Sequence, residues 1–149
     1  MSNTSDVIVA RTLCKISNWE LGVVRMHRIL YFAHRELLGE TGRKLVTGTF
    51  KRWPYGPVLT EVHEVIKNAG RNKIEESMFG LYKTLDEDSE RYKFLYEEYE
   101  KRKDQRATQL VDESRIPGGA WHRCFEQGMK KIPHQFILQE YNDILDGLE

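Results

Sequence analysis

The segment Trp53-Pro54-Tyr55-Gly56-Pro57-Val58 constrains this chain more than any other stretch. It holds two of the four prolines in the sequence. Proline has no N–H and clashes with the preceding turn, so no helix runs through this segment. Pro54 also forces Trp53 out of helical geometry. The residues before it, Val46 to Trp53, read as β-like. Thr47, Thr49, Phe50 and Trp53 favour extended backbone, and Gly48 marks a bulge or turn. Gly56-Pro57 is expected to open a helix, because the first helical position has no use for the missing N–H. Val58, Val62, Val65 and Ile66 would be the buried face of that helix, with Asn68 and Gly70 closing it.

Helical periodicity governs the rest. Asp6 to Ile16 places Val7, Ala10, Leu13 and Cys14 at helical spacing. Ser17-Asn18-Trp19-Glu20 matches a capping box and is expected to start a second helix. The stripe of that helix is Val23, Met26, Leu30, Ala33 and Leu37, and Gly39 and Gly42 are read as ending it. Ile74 to Leu85 is ambiguous, with room for a short strand that pairs with the earlier one. Asp86-Glu87-Asp88 supplies the charge a helix N-terminus favours, and Tyr92, Leu95, Tyr96 and Tyr99 stripe the helix that follows. Thr108 to Ser114 forms a short helix with Leu110 and Val111 inward. Pro117-Gly118-Gly119 breaks the chain before Trp121. Pro133 opens the last helix, striped by Ile137, Tyr141, Ile144, Leu145 and Leu148. The expected architecture is mainly α, or α+β with one minor β element between helices two and three, in a single domain over 1–149.

The chain of 149 residues is 40% hydrophobic and 31% charged, values that suit a globular domain with its own core. Lys+Arg and Asp+Glu stand at 23 each, and a net charge of zero argues against a protein built to hold phosphate backbones. It also predicts limited solubility alone, which suits a member of a complex. No apolar run has the length of a membrane span. The polar start, Met1 to Asp6, lacks the order of a signal peptide, and Cys14 and Cys124 follow no metal spacing. Reduced thiols and a cytoplasmic location are expected.

Chemistry-bearing patterns are sparse. His27, His34, His63, His122 and His134 form no metal-binding pattern, and His34 has no nucleophile or orienting carboxylate in sequence. It reads more simply as a buried histidine bonded to the β turn. Lys101-Arg102-Lys103-Asp104-Gln105-Arg106 is a solvated helix end before it is a nucleic-acid site. The usual enzyme signatures are absent, so no catalytic residue, metal or cofactor is expected. Trp53 and Tyr55 have two readings: packing over helix two, or a partner-facing surface of the kind that dominates interface hot spots. Tyr92, Tyr96 and Tyr99 have the same two readings.

Leu30-Tyr31-Phe32-Ala33-His34, Trp53-Pro54-Tyr55-Gly56-Pro57-Val58, Leu110-Val111, Gly118-Gly119-Ala120-Trp121, Ile132 and Tyr141 together resemble the Panacea domain, the SocA-like and GepA-like family of phage-associated antitoxins. The resemblance covers most of the chain, and the turn motif is its specific part. Glu36 stands where many relatives carry an aromatic residue, and Leu59, Thr60 and His63 depart from the pattern after Gly-Pro-Val. The resemblance implies an antitoxin that binds a cognate protein toxin. It also implies a second reading, an adaptor that delivers its bound partner to a AAA+ protease, with Asp146-Gly147-Leu148-Glu149 as a tether. A DNA-binding autoregulator ranks below both, and a homodimer is left open. The partner-contact candidates are Tyr31, His34, Trp53, Tyr55, Gly56, Pro57, Glu61, His63, Tyr96 and Trp121.

Overall fold

The computed structural model describes residues 4–147. Among these are seven α-helices and one small antiparallel hairpin: α1 (Thr4–Ile16), α2 (Val23–Thr41), β1 (Lys51–Trp53), β2 (Gly56–Val58), α3 (Thr60–Ile66), α4 (Glu90–Arg102), α5 (Ala107–Ser114), α6 (Ala120–Glu126) and α7 (His134–Gly147). The mainly helical class with a minor β element between the second and third helices is the one expected. Leu148 and Glu149 of the proposed tether lie outside the described residues.

Helix α2 is the axis of the molecule. Every residue from Met26 to Arg35 is buried, so the helix is enclosed rather than amphipathic. It packs against α1, α4, α5, α7 and β2. Three polar networks tie the elements around it together, and the first of them takes up the buried charge of Arg35 on α2. Glu140 of α7, 2% exposed, accepts from Arg35 Nη1 at 2.9 Å, from the Tyr31 hydroxyl at 3.1 Å and from the Ala120 N–H that starts α6 at 2.8 Å. Arg102 of α4 pairs with the buried Glu98 and with Glu113 (2.7 Å), and lies 3.8 Å over the Phe32 ring. Asp6 accepts from the Thr47 and Gly48 N–H groups at 2.8 Å each, fixing the loop ahead of the hairpin to α1.

Several local expectations are overturned. Ser17 does not cap α2. Its hydroxyl donates back to Cys14 O at 2.7 Å, Asn18 and Trp19 take left-handed φ of 55° and 60°, and α2 begins after Gly22. Gly39 does not end α2 but sits inside it, where a Cβ would overlap the Tyr141 ring. Gly42, at φ 77°, is the true stop. Gly56-Pro57 does not open a helix: with Val58 it forms β2, paired Lys51 to Val58, Arg52 to Pro57 and Trp53 to Gly56. Proline fits this edge as well as a helix start, because either position leaves its N–H unused. Residues 74–85 hold a 3₁₀ turn (Glu76–Phe79) and no strand pairing with β1. The tyrosine stripe of α4 faces partly outward, with Tyr96 47% exposed, while Glu98 and Arg102 take the buried side. Helix α6 was not expected after the glycine pair.

Candidate interaction cleft

The hairpin is held in place by its carbonyls. Trp121 Nε1 donates to Trp53 O at 2.7 Å, Arg115 Nη1 to Pro54 O at 2.9 Å, Arg28 Nη2 to Pro57 O at 2.8 Å, and Arg28 Nη1 to Tyr55 O. Donors from α2, from the end of α5 and from α6 thus converge on four carbonyls of the hairpin. Gly56 is required here. Its φ is 127°, and a Cβ would overlap the Arg28 guanidinium. The turn is therefore braced through its backbone, while the side chains of Trp53 and Tyr55 remain accessible.

Those side chains form one wall of a cleft of about 330 Å³. Val23, Val24, His27 and Arg28 of α2, with Val58 and His63, also line it. Tyr55 is 69% exposed, Val24 39% and Trp53 36%. The Trp53 ring meets His63 edge-on, with centroids 4.9 Å apart. His63 Nδ1 in turn lies 3.4 Å from His27 Nε2. Burial, with Arg28 and His63 alongside, pushes the His27 imidazole well below its usual pKa, so it is neutral at pH 7. Burial and the nearby Arg115 lower the Arg28 guanidinium to about 9, which leaves it cationic at neutral pH. His27 Nδ1 and Arg28 Nε are buried without a hydrogen-bond partner.

The sequence candidates fall in five places. Trp53, Tyr55, Gly56 and His63 line the cleft, and Pro57 lies beneath it as an Arg28 acceptor. Tyr31 and His34 are 0% exposed and belong to the core. They support the surface and do not form it, since Tyr31 bonds Glu140 and His34 Nε2 lies 3.1 Å from His134 Nδ1. Their burial follows from the enclosure of α2, which a one-sided stripe does not reveal. Glu61 is exposed in a separate polar recess with Asp6 and Lys131, and Tyr96 lies on α4 stacked with Tyr92 at 6.4 Å. Trp121 is 8% exposed, sandwiched by Phe125 at 5.5 Å and by the guanidiniums of Arg52 and Arg115 at 5.8 and 5.5 Å.

Sequence reasoning missed Val24, Arg28, Arg115 and the 57% exposed Phe125. Arg28 alone had a usable signal, a charge in the middle of an otherwise apolar helix run. In the basic run 101–106, the Arg102 guanidinium is taken up by internal ion pairs, so that run presents less cation to solvent than its sequence promised.

Comparison with known proteins adds three findings. The model of the family described as Antitoxin SocA-like, Panacea domain, matches residues 27–146, a span that includes Arg28, the whole hairpin, Trp121 and Glu140. A curated protein named Antitoxin SocA, from Caulobacter vibrioides, is 40% identical over 45 residues, which is 30% of this chain and 24% of that protein. The match therefore spans about a quarter of that relative's length. No solved structure matches.

Proposed function

This chain belongs to the SocA-like Panacea domain family of antitoxins, and from that premise we propose that it neutralises a cognate protein toxin by seating part of it in the Trp53–Tyr55 cleft. The observation that carries the reading is the mismatch between the hairpin's backbone and its side chains. Every carbonyl from Trp53 to Tyr55, and that of Pro57, is consumed by a side-chain donor from another element. Yet two large aromatic side chains on the same turn remain accessible beside Val24. Burying Trp53 and Tyr55 would stabilise the fold by about 1.5–3 kcal/mol each if they were core residues. Their exposure on a rigidly braced turn is what a pre-organised interface requires, because little conformational entropy is left to lose on binding. Neutralisation then proceeds by occlusion: the toxin surface held in the cleft is unavailable to its target, and no bond is made or broken. The test is co-expression in bacteria of the adjacent gene with this chain. Growth arrest relieved by the wild type, and not by the Trp53→Ala/Tyr55→Ala double variant at equal soluble level, is the expected result. Full rescue by the double variant would remove the cleft from the mechanism.

A further inference from the structure

The net charge of zero is an average over an uneven chain. No Asp or Glu lies between Glu40 and Glu61, and Glu126 is the only one between Glu113 and Glu140. Each of these two stretches carries four Lys and Arg residues. The fold sets the stretches side by side. Arg52 N–H donates to Lys130 O and Ile132 N–H to Phe50 O, both at 2.8 Å, and Lys51 stands opposite Lys131 in an antiparallel bridge. Arg115 joins from the end of α5. Its guanidinium lies 5.5 Å from the centre of the Trp121 ring, which the Arg52 guanidinium approaches at 5.8 Å. Lys51, Arg52, Arg115, Lys130 and Lys131 thus gather on the hairpin and the segments packed against it.

Little neutralises this group among the described residues. Arg115 reaches Asp112 at 3.7 Å, and the Asp112 side chain is 80% exposed. Glu126 faces His122 at 3.6 Å, and Asp143 meets Arg123, also at 3.6 Å. Lys51 and Lys131 border the recess that holds Asp6 and Glu61, but the Asp6 carboxylate is taken by the Thr47 and Gly48 N–H groups. A polyanion laid across such a face gains from each cation it meets and releases its own condensed counterions.

The face also carries an aromatic group that charge does not explain. Phe125 is 57% exposed and stacked on Trp121 with the ring planes 7° apart, and the Arg52 guanidinium lies 5.4 Å from its centre. An acidic protein segment needs the cations and has no use for the ring. A nucleobase has a flat face that stacks on an aromatic side chain, and arginines beside the ring add to that attraction. In a duplex those faces are covered by the neighbouring base pairs, so the match is to a single strand.

We propose that this face binds single-stranded nucleic acid, with phosphates on Lys51, Arg52, Lys130 and Lys131 and a base on Phe125. The site is separate from the proposed toxin contact and does not rest on it.

The experiment is fluorescence anisotropy with the full chain at about 50 and 200 mM salt. The probes are a labelled mixed-sequence RNA of about 16 nucleotides, the DNA of the same sequence and the corresponding DNA duplex. Binding of at least one single strand, tighter than that of the duplex and falling steeply with salt, is the expected result. Comparison of the RNA and DNA arms then assigns the sugar. Lys130→Gln/Lys131→Gln should lower the slope of log K against log salt by about 1.4, the share of two phosphate contacts on a single strand. Phe125→Leu keeps an apolar group against Trp121 and removes the ring, so it should weaken single-strand binding by roughly tenfold and leave the slope unchanged. No binding of either single strand, or a slope that ignores the lysine substitutions, overturns the proposal. A duplex bound as tightly as the single strands, or Phe125→Leu without effect, removes the base from the site and overturns it as well. Polyglutamate that competes as well as unlabelled RNA would assign the face to an acidic protein instead.

Discussion

Arg28 and Arg35 lie two turns apart on α2, buried to 2% and 3% exposure, yet their circumstances are opposite. Arg35 has Glu140 at 2.9 Å inside the molecule, and the carboxylate holds it firmly in its charged form. Arg28 has only carbonyls, and its charge is depressed rather than supported. One is held by a carboxylate and the other by the carbonyls of the hairpin it braces. The consequence for Glu140 is direct. Glu140→Gln leaves the buried Arg35 with only Glu36, at 3.1 Å and partly exposed, and removing one member of a buried pair costs roughly 3–5 kcal/mol. Tyr31→Phe removes a single hydrogen bond from the same carboxylate and should cost about 1 kcal/mol. Chemical denaturation of the two variants checks both values, and a Glu140→Gln loss no larger than that of Tyr31→Phe would contradict the network described here.

At the level of helices and turns, the close contact of α2 with α7 is set by Gly39. A methyl group there overlaps the Tyr141 ring, so Gly39→Ala should lower the melting temperature despite alanine's better helix propensity. In a Tyr141→Ala background the obstruction is gone, and the same substitution should instead stabilise by up to about 1 kcal/mol. A Gly39→Ala effect of the same sign in both backgrounds would show that the ring is not the constraint. This glycine also marks where sequence reading ran out. The helices α1, α2 and α5 were legible from their apolar spacing, and Gly42 was legible as a stop; α7 was legible as a helix after Pro133, but its stripe was not, since Leu145 is 48% exposed and Glu140 takes the buried side with Ile137. Gly39 carries the same local signal, but its reason is a ring from a helix about a hundred residues away. Pro57 suits both an edge strand and a helix start, and only the pairing with Arg52 decides between them. Ser17 has the form of a cap for the helix after it and instead bonds the helix before it. Of the candidate site, the aromatic turn was visible and the residues of α2 that line the cleft with it were not. Val24 and Arg28 become part of a surface only when the hairpin folds down onto the start of α2.

Taken whole, the molecule should be sensitive to mild acid. Burial, with His134 and Lys44 nearby, lowers the His34 imidazole to about 3, and His27 and His134 are lowered as well, chiefly by burial. In the unfolded chain a histidine titrates near 6.5, so the unfolded state takes up protons first as pH falls. The stability is fully present above about pH 6.5 and is lost as pH falls toward the folded-state value. Between pH 6.5 and 5 the loss is on the order of 2 kcal/mol for each imidazole that stays neutral in the fold. Thermal melts at pH 7.5 and 5.0 should show a clear fall in midpoint. A flat profile over this range, above the titration of most carboxylates, would mean these histidines are protonated in the fold.

The binding account stands or falls on the turn that the fold braces so heavily. Tyr55 is 69% exposed, and its side chain supports nothing inside the molecule, so Tyr55→Ala should leave the melting temperature within the change of about 0.5 kcal/mol typical of surface sites. Titration calorimetry of the cognate toxin against the wild type and this variant is the most direct measurement. The account predicts a loss of at least about 2 kcal/mol in binding, roughly a thirtyfold weaker Kd, with the fold intact. An unchanged Kd on an intact fold would contradict it and place the contact elsewhere on the surface.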